Sequence, residues 1–162
     1  MSSGMSEKEM FLANRDQYDA WFIGILVSFT SLSVTGICLN SLIVIATIRD
    51  SRLHNACNVL IAFCAFCDIL HQSGHFTRVY YFPTHIFFTN TWTCAYIETI
   101  PTFGVSAGSF CVLSIGIDRF ISAFFPAFYM SKDVKKYLLA HFVLILAYTA
   151  TQYYIMFEYM DN

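Results

Sequence analysis

The stretch CVLSIGIDRFISAFFP, Cys111 to Pro126, sets an acidic and a basic residue side by side inside an apolar run. A lone charge in hydrocarbon costs about 2.5–3.5 kcal/mol even on the mild insertion scales. Asp118 and Arg119 therefore read either as a snorkelling pair at a membrane interface or as a working element of the protein. The surroundings of the pair decide between the two.

Those surroundings are apolar throughout. Of 162 residues, 57% are hydrophobic and 12% charged, with a mean hydropathy of +0.56. Soluble domains average roughly 25% charged residues, so the chain reads as a membrane protein. A net charge of -2 with nine Lys and Arg lacks the clustered cations that neutralise phosphates, which argues against a nucleic-acid partner. No repeat, low-complexity tract or linker interrupts the chain.

Working outward from Asp118, the apolar run extends back to about residue 93 and forward to Phe125, with Glu98 near its far end and Pro101 one turn further in. A proline close to a helix end is tolerable there. Beyond Pro126 a polar loop carries Lys132, Asp133, Lys135 and Lys136, and an uncharged run follows over about 137–157. Upstream, no charged side chain occurs between Trp21 and Ile48, and a second run covers about 55–74 with Asp68 as its single formal charge. Each run approaches or exceeds the ~20 residues that a helix needs to cross the hydrocarbon core. The expected fold is therefore all-α: a multi-pass, antiparallel transmembrane helix bundle with spans at about 20–48, 55–74, 93–125 and 137–157, preceded by a polar tail over 1–19. Glu7, Glu9, Asp16 and Asp19 make that tail slightly acidic, the wrong charge for a signal peptide.

Loop cations set the orientation. The loops after the first and third spans carry Arg49, Arg52, Lys132, Lys135 and Lys136, against Lys8, Arg15 and Arg78 on the other side. The positive-inside rule then places both chain ends outside, Asp118 and Arg119 at the cytoplasmic surface and Cys94 at the extracellular end. The other five cysteines lie in spans or at their inner ends and read as small packing residues. The rings between His75 and Thr93, including Tyr80, Tyr81, Phe82, Phe87, Phe88 and Trp92, suit a membrane interface.

Within the spans, polar residues need interior partners. Cys57, Ile61, Cys64, Asp68, His71 and His75 fall on one helical stripe, expected to face the bundle, with Asn40 of the first span as a partner for Asp68. His71 and His75, in HQSGH, have the i,i+4 spacing of metal-chelating histidines. Five histidines in the whole chain are too few for the di-metal membrane enzymes that use such boxes, so neither a metal nor an enzymatic activity is expected, and no cofactor.

Several motifs stand in a fixed order: GICLNSLIVIATI with Asn40, NVLIAFCAFCD ending on Asp68, Cys94 twenty-five residues before Arg119, then IDRF and Pro126 seven beyond that Arg. Together they resemble the first three helices of rhodopsin-like (class A) G-protein-coupled receptors. The wording of LHNACNVLIAFCAFCDILHQSGHF and IPTFGVSAGSFCVLSIGIDRFISAFFPAFY is similar, more narrowly, to the nematode serpentine chemoreceptor-like Srsx class. The resemblance covers Ser33 to Tyr129 by motif and the fourth span by hydropathy.

What the resemblance implies can be assigned residue by residue. Asn40 and Asp68 match the polar centre linking the first two helices. Asp118 and Arg119 match the activation switch, in which Asp118 restrains Arg119 at rest and the freed Arg reaches a heterotrimeric G protein. Cys94 matches the cysteine that ties the third helix to the second extracellular loop by a disulfide. Glu98, Thr102 and His71 are the implied contacts for an unknown ligand. Three departures qualify the match: Pro101 stands where amine receptors carry their acidic anchor, Gly104 and Gly108 replace the small polar groups of a sodium pocket, and Phe120 replaces a Tyr.

Four spans of a seven-transmembrane receptor fold lead to two expectations. One is a chemosensory receptor in the plasma membrane, truncated after the fourth span and signalling through a G protein only in a full-length form. The other is a non-signalling membrane chain that associates with full-length receptors and lipid.

Overall fold

A computed structural model describes residue 9, residues 15–81 and residues 90–161, with side chains from 21 to 159 apart from 78 and 82–89. It contains α1 (Arg15–Arg49), a single 3-10 turn (Ser51–Leu53), α2 (Ala56–Tyr81), α3 (Thr91–Phe124), the short α4 (Pro126–Ser131) and α5 (Val134–Asp161). Among the described residues there is no strand. Trp21–Arg49, Ala56–Tyr81, Thr91–Phe124 and Val134–Tyr159 are each long and apolar enough to cross a membrane. At 1.5 Å per residue even the 26-residue α2 exceeds the roughly 30 Å hydrocarbon core.

Short polar side chains set the helix starts. The Asp50 carboxylate accepts from the Arg52 amide at 3.0 Å and turns the chain after α1, and Asn55 Oδ1 accepts from the Asn58 amide at 2.9 Å. Asn90 caps α3 through the Trp92 amide, Asp133 caps α5 through the Lys135 amide, and Pro126 opens α4 without losing a hydrogen bond. Helix α2 continues to Tyr81, seven residues past the end of its apolar run at Gly74, because the segment holds no helix breaker before Pro83. The expected interfacial rings Phe82, Phe87 and Phe88, and residues 1–8 and 10–14 of the polar tail, lie outside the described residues.

The helices pack antiparallel to their chain neighbours. Gly74 meets Pro101, Cys67 meets Gly108, and the Cys111 thiol donates to the Leu60 carbonyl at 3.2 Å, so numbering falls on α2 as it rises on α3. The same relation joins α3 to α5 through Trp92 with Phe157 and Phe110 with Tyr148. Helix α1 packs on α2, which packs on α3, which packs on α5. The buried core is small: Leu60, Cys67, Ala107, Cys111 and Ile145, with Phe63 set edge-on to Phe142 at 5.0 Å.

Gly104 is the tightest point of this stack. A Cβ at that position would sit 2.4 Å from the His71 backbone nitrogen and 2.5 Å from the Cys67 carbonyl oxygen, so α2 and α3 touch backbone to backbone. This contact centres the α2–α3 seam beside the expected stripe, of which Cys57 is buried, Cys64 packs on the core and Asp68 lies over Gly108. Leu60 and Cys67 are fully buried, with Gly74 on the same line, while His71 faces Gly104 with its backbone and leaves its ring exposed. Helix α1 is the most exposed of the four, and its hydroxyls satisfy themselves: Ser28, Thr30, Ser31, Ser33, Thr35 and Thr47 each donate to the carbonyl four residues back. In hydrocarbon that local bond removes the need for a partner on another helix.

Gly104→Ala will push α2 and α3 apart and lower thermal stability in detergent by about 1–3 kcal/mol. Gly116→Ala, whose added methyl meets nothing within 4 Å, will leave stability unchanged or raise it by about 0.5–1 kcal/mol through helix propensity. Equal losses in both variants would remove the close approach from the account.

Candidate functional site

Two polar clusters occupy opposite ends of α3. At the C-terminal end Asp118 is 0% exposed, a position that a carboxylate keeps only with a cation and hydrogen bonds around it. Both oxygens are occupied. Lys132 Nζ donates to Oδ1 at 3.2 Å and the Tyr129 hydroxyl donates to Oδ2 at 3.2 Å. Cys57 of α2 is buried at the same end of the bundle.

Lys132 is held as closely as Asp118. Its ammonium sits between two rings, 3.4 Å from the centroid of Tyr129 and 3.3 Å from that of Tyr137, and its side chain is 5% exposed. Desolvated cation–π contacts of this kind contribute about 2 kcal/mol. The short helix α4 makes the geometry possible by folding the chain back after Pro126, bringing Lys132 fourteen residues on beside Asp118. Burial, and behind it the negative charge of Asp118, push the Tyr129 phenol above its ordinary range, so it remains a donor. Behind the cage the Tyr137 hydroxyl and His141 Nδ1 are buried with no hydrogen-bond partner among the described residues, their rings 4.7 Å apart.

Arg119 takes no part in this pairing. The ion pair expected between Asp118 and Arg119 is replaced by Asp118 with Lys132, and Arg119 is exposed. The reason is helical geometry: residues i and i+1 point about 100° apart, so a carboxylate turned into the bundle leaves its neighbour facing out.

At the other end of α3, a cavity of about 100 Å³ opens between α2 and α3. His71, His75, Glu98 and Thr102 supply its polar groups beside Gly74 and Pro101, so the three side chains read from the sequence as ligand contacts line one cavity, His71 from α2 and Glu98 and Thr102 from α3. Gly74 is required for this shape, because a Cβ there would lie 2.9 Å from the Pro101 ring and 3.2 Å from a Glu98 carboxylate oxygen. The Tyr153 hydroxyl of α5 donates to the Thr99 carbonyl and fixes α5 beside the same end of α3.

The family model for the serpentine type 7TM GPCR chemoreceptor Srsx matches residues 33–162. The chain belongs to that family. No curated protein matches the sequence.

The other residues that the sequence singles out lie apart from both clusters. Asn40 and Asp68 are both half-buried, and no hydrogen bond joins them among the described residues. Asp68 instead lies over Gly108, its Oδ1 3.7 Å from where a Cβ would stand. Gln72 of α2 lies across Gly36 of α1 so closely that a Cβ there would meet its amide at 2.5 Å. Its Oε1 is buried with no hydrogen-bond partner among the described residues. Cys94 is exposed, with a free thiol. Among the described residues no three His, Cys, Asp or Glu side chains are grouped to hold a metal ion.

The sequence reading did not single out Gln72, Tyr129, Tyr137 or His141, and Lys132 counted in it only as a loop cation. One signal was available for the cage: Tyr129, Lys132 and Tyr137 flank the start of α5 at spacings that a short helical reversal brings together. Lys132→Met will leave Asp118 buried without a cation and cost about 3–5 kcal/mol, and Asp118→Asn combined with Lys132→Met will recover most of that loss. Arg119→Ala will change stability by less than about 0.5 kcal/mol. A thermal-unfolding double-mutant cycle that finds Asp118 coupled to Arg119 instead would refute this pairing.

Proposed function

We propose that this Srsx chain is a chemosensory receptor in which a small ligand enters the cavity lined by Glu98, Thr102 and His71, and in which Arg119 is the contact offered to a heterotrimeric G protein. The observation that carries the reading is that these three side chains line one cavity on the α2–α3 pair that also carries Asp118 and Arg119 at its far end. In this reading the Asp118 end is cytoplasmic and the chain sits in the plasma membrane with its N-terminus outside. The cations Arg49, Arg52, Lys132, Lys135 and Lys136 at that end support the orientation.

Signalling requires a two-state element that ligand biases. The α4 segment is the proposed element. With Lys132 seated on Asp118, α4 is pinned to α3, and a shift of α3 against α2 that separates Asp118 from the tyrosine cage would free it. Arg119, already exposed, then needs no release of its own, and movement of α4 would open the surface around it. The full seven-span form of the fold would carry this coupling. Asn40 and Asp68, as the polar centre, and Cys94, as the cysteine of an extracellular disulfide, complete the proposed assignment.

In cells expressing a seven-span form, Glu98→Gln and Thr102→Val will raise the ligand concentration needed for response by about tenfold or more, while Arg119→Ala will abolish the G-protein response and leave ligand binding intact. Loss of binding in Arg119→Ala, or full response in Glu98→Gln, would overturn the assignment. The alternative, a chain that associates with full-length receptors without signalling, predicts co-purification with an intact receptor and no change of response in any of the three variants.

A further inference from the structure

A second cavity lies against the first. Phe22, Ile25, Leu26, Phe29 and Thr30 of α1 form an apolar groove of about 90 Å³ whose remaining wall is His75 of α2. The same His75 lines the polar cavity with His71, Glu98 and Thr102. Its ring stands between the two: it stacks on Phe29 at 5.9 Å and 18°, and it meets His71 edge-on at 6.1 Å and 67°. One side chain is thus the partition between an apolar groove on α1 and a polar cavity on α2 and α3.

Each space is small beside the roughly 300–1,000 Å³ of ordinary ligand pockets, and their chemistry differs. The polar cavity offers a carboxyl group, two imidazoles and a hydroxyl, a set rich in acceptors. The groove offers aliphatic and aromatic surface with one hydroxyl, that of Thr30, and the Thr30 hydroxyl is engaged with the Leu26 carbonyl at 2.7 Å. From this geometry we infer that the site takes a small amphiphile, with a hydrogen-bond-donating head in the His71–Glu98–Thr102 cavity and a short alkyl tail passing His75 into the Phe22–Phe29 groove. The inference rests on the receptor reading above for the identity of the polar cavity as the ligand site. It adds the chemical class of the ligand and assigns His75 and Phe29 as the residues that set tail length. A groove open on the face of the most exposed helix also gives such a molecule a route from the bilayer, where amphiphiles concentrate.

The test uses primary alkanols of two to ten carbons as probes, with n-alkanes as headless controls. Binding is measured directly on the full chain in lipid nanodiscs against empty nanodiscs. Affinity is expected to rise about fourfold per methylene, as for burial of a CH₂, and to level off once the groove is full. Phe29→Ala will flatten the rise, His75→Ala will move the plateau to longer chains, and Glu98→Gln will weaken every alkanol by about tenfold without changing the slope. Phe29 is half exposed, so its substitution leaves the fold intact even where His75→Ala does not. Equal chain-length slopes in wild type and Phe29→Ala, alkanes binding as well as alkanols, or no binding of any alkanol would each overturn the amphiphile inference. Because these readouts involve no G protein, they leave the receptor reading to be decided by the signalling variants.

Discussion

The backbone contact at Gly104 sets the rest of the molecule. In a membrane the apolar faces of helices gain little by leaving lipid, so what fixes one helix against another is close packing and local hydrogen bonding. Gly104 allows the α3 backbone to approach Cys67 and His71 of α2 more closely than any side chain would permit. That one contact determines the rotation of α2. It buries Leu60 and Cys67, leaves His71 in the wall of the cavity between the two helices, and brings Gly74 against Pro101 and Glu98.

The same register governs the opposite end. With α2 and α3 locked at Gly104, Cys57 arrives beside Asp118, and the buried carboxylate needs a cation from elsewhere in the chain. Helix propensity and Pro126 shape α4 so that Lys132 supplies it, and Tyr129 and Tyr137 replace the water that the ammonium gives up. Cavity and caged ion pair are therefore the two ends of one packed helix pair. In the proposed mechanism a change in α2–α3 packing at the cavity is what reaches the ion pair.

Much of this was legible in the sequence because the bilayer imposes a strict code. Long uncharged runs give the four helices, and the spacing of Asn40, Asp68, Cys94, Arg119 and Pro126 gives the family. Glu98 and Thr102 came from the family resemblance, and both line the cavity. Rotation and long-range partners were not readable. The stripe through Cys57, Cys64 and Asp68 does meet the bundle, but the closest contact line beside it, through Leu60, Cys67 and Gly74, is set by the glycine on the neighbouring helix. The counter-ion of Asp118 was hidden because adjacency in sequence suggests Arg119, whereas helical geometry turns neighbours apart. Gln72 lay unnoticed inside HQSGH because its partner surface is Gly36, a residue with no side chain to signal a contact.

The α2–α3 register can be measured directly. A Cβ at position 108 would lie 3.4 Å from the Cys67 Cβ, close to the roughly 3.5–4.5 Å spacing of a disulfide. The measurement is mild oxidation of Gly108→Cys in the full chain in nanodiscs, followed by mass-spectrometric mapping of cross-linked peptides. The account predicts a bond from position 108 to Cys67, absent from a Cys67→Ala background. A bond from position 108 to Cys57 or Cys38 in place of Cys67, or none while the helices remain folded, would contradict the register on which both the cavity and the caged ion pair depend.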